Sequence, residues 1–206
     1  MGPDVDPSRD RVTLDGTLLT WSETHRYVAY HKPLGILVSR RSQGGRPTIF
    51  QQLGDSARGL HAVGRLDLLS EGLLLLTDDG PLAEALLHPR TGLSRLYRVW
   101  VVPVPTPTAM RVMRDGALID GVEVRPSRAI LEGQDRGSGR LLVEVLEGKK
   151  REIRLLARVA GLHVQRLLRI QFGPIRLDTL PPGGTRPLTA AEVRALKRSV
   201  GQSANG

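Results

Sequence analysis

Among the residues able to do chemistry, one carboxylate is set apart by its surroundings. Asp67 stands in Gly64-Arg65-Leu66-Asp67-Leu68-Leu69-Ser70-Glu71-Gly72, just ahead of four leucines, Leu73 to Leu76, and the turn signal Asp78-Asp79-Gly80. The leucine run, bounded by Gly72 and by that turn, predicts a short strand buried on both faces. A charged pair, Arg65 and Asp67, at the mouth of such a strand is flanked by glycines that let the backbone turn sharply. That placement suits a carboxylate used as a nucleophile or a base. The same local pattern also fits a carboxylate that merely opens a solvated loop beside a solvated arginine.

Two further groups could join it. Tyr97 lies in Ser94-Arg95-Leu96-Tyr97-Arg98-Val99-Trp100-Val101-Val102, which alternates as a long strand. A strand tyrosine most often fills a core. In a chain that is 3% aromatic, it is also the obvious side chain to stack on an extruded base. The second group is the basic run Lys149-Lys150-Arg151-Glu152-Ile153-Arg154 and its continuation to Gly161. Apolar residues near 153, 156, 159 and 160 give one helix face, while Lys150, Arg154 and Arg158 recur every fourth residue on another. Glu71, four residues after Asp67, would make an acid–base pair with it only on a helix, and the leucine run predicts a strand. A hydrolase built on those two carboxylates is therefore disfavoured.

Composition bounds the answer. The 206 residues are 40% hydrophobic and sufficient for one substantial core or two small ones. The absence of cysteine excludes disulfides, zinc ribbons and thiolate chemistry, and the five histidines are scattered without metal-site spacing, so no metal is expected. No run approaches the ~18 apolar residues of a membrane span. The first ten residues lack the basic-then-apolar order of a signal peptide, so a cytoplasmic location is expected, without membrane contact. The net charge is +9, and of 30 basic residues 26 are arginine, a balance that suits a polyanionic partner such as RNA.

Several elements must position these groups. Arg11 to Thr20 alternates around Asp15-Gly16 and predicts a small hairpin. Arg26 to Tyr30 predicts a strand that bends at Lys32-Pro33-Leu34-Gly35, followed by a basic loop through Arg40, Arg41 and Arg46. Pro47 to Leu53 predicts a short helix, Leu60 to Leu66 a strand, and Pro81 to Leu87 a helix. Thr106 is placed to cap a helix that ends near Arg114. Val122 to Leu131 and Arg140 to Leu146 alternate as strands, and His163 to Phe172 is a further one. Gly161 stops the basic helix, and Thr189 caps a last helix to about Arg198.

The stretch from Gly64 to Gly80 resembles the catalytic-aspartate motif of the RsuA-like family of ribosomal RNA pseudouridine synthases. Lys32-Pro33-Leu34-Gly35 resembles the family's Lys-Pro-x-Gly segment, and Tyr97 matches its Tyr-x-Val context. Glu147-Gly148-x-x-Arg151-x-x-Arg154 matches its basic pattern, with Glu152 standing where glutamine is usual. Pro181 to Leu188 resembles the closing loop. The resemblance spans about 26–197, and the motifs keep the family's order.

The resemblance implies an isomerase that converts a uridine of ribosomal RNA to pseudouridine without a cofactor, with large-subunit RNA favoured over small-subunit RNA. It implies Asp67 as the catalytic carboxylate, Arg154 as its basic partner and Tyr97 stacked on the target uracil or helping to move its C5 proton. Arg65, Lys32, Arg40, Lys149, Lys150 and Arg151 are the expected RNA contacts. The implied fold is α+β, a mainly antiparallel mixed sheet with flanking helices and a central active-site cleft. The expected organisation is a loose segment over 1–24 that resembles the end of an S4 domain, and a catalytic domain over 25–198 formed from joined parts at 25–93 and 94–198. A tail follows over 199–206, and a monomer is expected. A noncatalytic RNA-binding or ribosome-assembly factor on the same fold is the competing expectation.

Overall fold

The computed structural model describes residues 13–15, 17–18, 24–149 and 151–201. The amino-terminal hairpin pairs Thr13 with Leu18 and Leu14 with Thr17, and the rest of the stretch expected to form it lies outside the described residues. The main sheet comprises β1 (Tyr27–Lys32), β2 (His61–Val63), β3 (Glu71–Thr77), β4 (Arg95–Val102), β5 (Arg128–Asp135), β6 (Ser138–Val145), β7 (His163–Phe172), β8 (Ile175–Arg176) and β9 (Thr185–Pro187). Its order is β9-β1-β3-β7-β4-β6-β5, with β2 paired to β3 and β8 to β7. Helices α1 (Ile49–Leu53), α2 (Gly80–Leu87), α3 (Pro107–Asp115), α4 (Glu152–Val159) and α5 (Ala190–Gly201) flank it. This is the α+β architecture expected.

The leucine run forms the middle of β3, with Leu73, Leu74, Leu75 and Leu76 between 0% and 3% exposed. A fully buried leucine contributes about 1.5–3 kcal/mol relative to an exposed one, so this strand is a large share of the local core. Alternate leucines feed opposite layers. Leu73 and Leu75 pack with Phe172 and Leu196, whereas Leu74 and Leu76 pack with Tyr30 and Ile49. A separate cluster fills the side of the sheet around β4 and β6, under α3 and α4, and includes Val99, Val143, Met113 and Leu156.

One seam joins the part of the sheet carrying β3 to the part carrying β4 and β6. There β3 and β7 run parallel, through Leu168 opposite Glu71 and Arg169 opposite Gly72. Gly72 has φ +106, and a Cβ on it would lie 2.3 Å from the Arg169 carbonyl oxygen. The backbones approach so closely that no other residue fits.

Local signals account for the helix starts. Thr106 caps α3 by accepting from the Ala109 N–H, and Thr189 accepts from Glu192 N–H before α5. Asp79 caps α2 by accepting from Leu82 N–H, with Pro81 in the first turn. Two expectations need correction. The strand predicted over Leu60 to Leu66 is limited to His61–Val63, because Gly64 turns the chain at φ +76. The stretch Val122 to Leu131 is divided between a small hairpin, where Val122–Val124 pairs with Ala117–Ile119, and β5. Pro126 falls in the gap, where it has no N–H to offer a ladder.

Candidate active site

The turn after β2 places Asp67 where the two parts of the sheet meet. Ser70 N–H donates to the Asp67 carbonyl at 3.0 Å, closing the turn, and Gly35 N–H donates to Leu68 O at 2.9 Å. Asp67 is partly exposed and opens onto a cleft of about 700 Å³ that Tyr97 also lines. Tyr97 lies mid-strand on β4, opposite Arg169 on β7, with its ring partly buried between the core clusters. The cleft thus brings together a carboxylate and an aromatic ring from opposite sides of the seam.

Arg154 reaches the same turn from α4. Its Nη1 donates to Val164 O at 3.1 Å, and its Nη2 donates across the seam to Leu69 O at 2.5 Å. Burial pushes the guanidinium below its ordinary value, while the charge of Asp67 acts the other way. The two side chains therefore sense one another, although Arg154 fastens to the backbone of the turn rather than pairing directly with the carboxylate. An arginine in this position holds the aspartate's loop.

Lys32 departs from its expected role. It is 0% exposed, and its Nζ donates to Pro33 O at 2.9 Å and to Ser70 O at 2.7 Å. One contact is to its own neighbour and the other to the Ser70 carbonyl at the end of the Asp67 turn, and the buried ammonium does not present itself to RNA. It fixes the turn from beneath. Burial pulls its pKa down to about 8, against the opposing charges of Glu71 and Asp67. Between that value and the ~10.4 of a free lysine the unfolded chain binds the extra proton, so this group makes folding stability rise with pH across that window. Guanidinium unfolding at pH values spanning the window should show the rise in the parent protein and its absence in Lys32→Met.

The other expected contacts divide. Arg65, Lys149 and Arg151 line the cleft and are exposed, as phosphate contacts require. Lys149 Nζ also bonds Glu123 O and Glu147 Oε2, each at 2.9 Å. Arg40 stands apart from the cleft. It bonds Leu60 O at 2.9 Å and sits over the Phe50 ring at 4.7 Å, so it tethers its own loop. Lys150 lies outside the described residues. Sequence reasoning assigns no role to Arg95, Arg169 or Phe172, which line the cleft floor, nor to Glu152 as a cleft carboxyl.

No helix among the described residues is long and apolar enough to cross a membrane. No group of three or more potential metal-ligating side chains occurs among them.

Comparison with known proteins adds an independent line. A family model described as RNA pseudouridylate synthase matches residues 26–158. The chain is 34% identical over 185 residues to an uncharacterized RNA pseudouridine synthase of Rickettsia prowazekii, covering 90% of this chain and 77% of that one. It is 34% identical over 197 residues to the ribosomal large subunit pseudouridine synthase B of Escherichia coli O157:H7, covering 92% of this chain and 68% of the relative. A crystal structure of a pseudouridylate synthase superposes with a TM-score of 0.74 at 29% identity, covering 94% of this chain and 83% of the other.

Proposed function

This chain belongs to the RNA pseudouridylate synthase family, and from that premise we propose that it isomerises a specific uridine in ribosomal RNA, large-subunit RNA before small, with Asp67 as the reacting carboxylate. The reaction breaks the bond from ribose C1′ to N1, forms the bond from C1′ to C5, removes the proton from C5 and returns one to N1. Atoms and electrons balance without an oxidant or an energy donor.

The observation that carries this reading is the meeting of Asp67 and Tyr97 in one cleft while Arg154 holds the aspartate's turn from the far side of the seam. Asp67 adds to the nucleoside or takes a proton from it, and the cleft walls hold the detached base near the sugar. Tyr97 stacks on the flipped uracil, whose extrusion costs roughly a few kcal/mol. Arg65, Lys149 and Arg151 hold the flanking phosphates. The likeness to a ribosomal large subunit synthase favours large-subunit RNA as the substrate. We place the reaction in the cytoplasm, carried out by a monomer on RNA that is free or within assembling subunits, with the catalytic unit over 25–198.

The test is to incubate the purified protein with unmodified large- and small-subunit ribosomal RNA transcripts and to map pseudouridine at single-nucleotide resolution. One new pseudouridine in the large-subunit RNA is expected. Modification confined to the small-subunit transcript would overturn the substrate assignment. No modification of either, with RNA binding intact, would favour a noncatalytic RNA-binding factor.

A further inference from the structure

Three cleft groups have no part in that reading: Arg95, Arg169 and Glu152. Arg95 and Arg169 are 8% and 2% exposed and stand on adjacent strands, β4 and β7. Each guanidinium carbon lies 5.2 Å from the centre of the Phe172 ring. Arg95 Nη1 donates to Leu93 O at 2.9 Å and Leu146 O at 2.8 Å, and Arg169 Nε donates to Leu73 O at 2.7 Å. Arg169 Nη2 is buried and, among the described residues, has no partner. Neither guanidinium forms an ion pair among those residues. Two positive charges withdrawn from water side by side are costly unless an anion answers them.

The carboxyl that acts on Arg95 is Glu152. Burial dominates its titration and, with Glu147 adding repulsion, holds the carboxyl up at about 7, although Lys149 and Arg95 favour ionisation. Its place at the start of α4, where the helix dipole favours a negative charge, does not reverse that. Among the described residues Glu152 forms no ion pair, and its carboxyl accepts from the Lys149 backbone N–H. Near neutral pH its charge is therefore a partial counterweight to the two arginines.

We propose that Arg95 and Arg169 form a seat for one backbone phosphate of the bound RNA in the floor of the cleft, and that Glu152 takes up a proton when the seat is filled. The proposal rests on the reading of this cleft as the RNA site. A phosphodiester brings one full negative charge and two acceptor oxygens to the pair of guanidiniums, which a neutral base carbonyl does not. An ionised Glu152 would repel that phosphate, whereas a protonated one offers it an O–H donor. The charges facing Glu152 are Glu147, Lys149 and Arg151 from the connection before α4, and Arg95 and Arg169 from the sheet. Arg65, Asp67 and His88 line the same cleft.

The test measures binding of the full chain to a short fluorescent oligouridylate by anisotropy, at fixed salt from about pH 6 to about pH 8.5, then at fixed pH against salt. Affinity of the parent protein should fall about tenfold across that pH range, because binding takes up a proton. Glu152→Gln should bind equally across it, and His88→Asn should keep the parent's dependence. Arg95→Met should lower the slope of log affinity against log salt by about 0.7, the value of one phosphate contact on a single strand, and Arg95→Lys should restore most of it. Circular dichroism reports whether each variant folds, and if Arg95→Met does not, the pH behaviour of Glu152→Gln decides. A pH-independent parent, the same pH slope in Glu152→Gln, or unaltered salt slopes in a folded Arg95→Met would overturn the seat, even with ribosomal RNA modified normally. Conversely, these binding results with no pseudouridine formed on ribosomal RNA would overturn the catalytic reading and leave the seat standing.

Discussion

Asp67→Asn folds, binds ribosomal RNA within about threefold of the parent and forms pseudouridine at least ~10³-fold more slowly. The substitution keeps the size and shape of the side chain and removes its charge, so the turn that Lys32 and Arg154 hold through the Ser70 and Leu69 carbonyls stays in place. What is lost is the electron pair that must add to the nucleoside or take its proton. The measurement is a single-turnover assay with enzyme in excess over an RNA shown to be modified by the parent, beside a binding titration on the same RNA. A variant that modifies RNA at near-parent rates would remove Asp67 from the chemistry. A variant that neither binds nor modifies would instead make it a structural residue of the turn.

Arg154→Leu should lower the single-turnover rate about 10²-fold while changing RNA affinity less than about fivefold. The geometry supplies two reasons for the effect to fall on the rate. The guanidinium ties α4 to the Asp67 turn through Leu69 O, and its charge is the one that reaches Asp67 from across the seam. Leucine removes both, leaving the aspartate's loop less constrained and without a cation across the seam. Arg154→Lys retains the charge and loses the fork that bonds Val164 O and Leu69 O together, so it should fall between leucine and the parent. Equal losses in rate and affinity would make Arg154 a plain phosphate contact. A rate unchanged by leucine would leave the aspartate's environment to Lys32 and the rest of the turn.

What the sequence discloses and what it hides separate along a physical line. The leucine strand, the capped starts of α2, α3 and α5, the stop at Gly161 and the full extent of β7 are written in neighbouring residues, and each is readable there. Asp67 is conspicuous because a charge beside an apolar run is locally anomalous. Lys32 misleads because its burial depends on the Ser70 carbonyl, thirty-eight positions away, and a lysine next to a proline carries no local mark of being interior. Arg95 and Arg169 cannot be told from the other arginines among 26, since what distinguishes them is a shared Phe172 ring and the lack of an ion pair among the described residues. Gly72 looks like a strand boundary, and its actual work is to admit the Arg169 backbone. Glu152 is visible as a departure from the pattern of the resembled family, without any sign that it faces the cleft.

The seam at Gly72 and Arg169 also sets when the molecule becomes active. The carboxylate proposed to react is made early on the ribosome, at position 67, but the arginine that bonds its turn is at 154 and the strand that closes the gap ends at Phe172. Domains acquire structure as the chain emerges from its amino-terminal end. On the proposed reading, a nascent chain bearing Asp67 therefore lacks both the arginine and the closing strand of its site until most of the polypeptide has been translated.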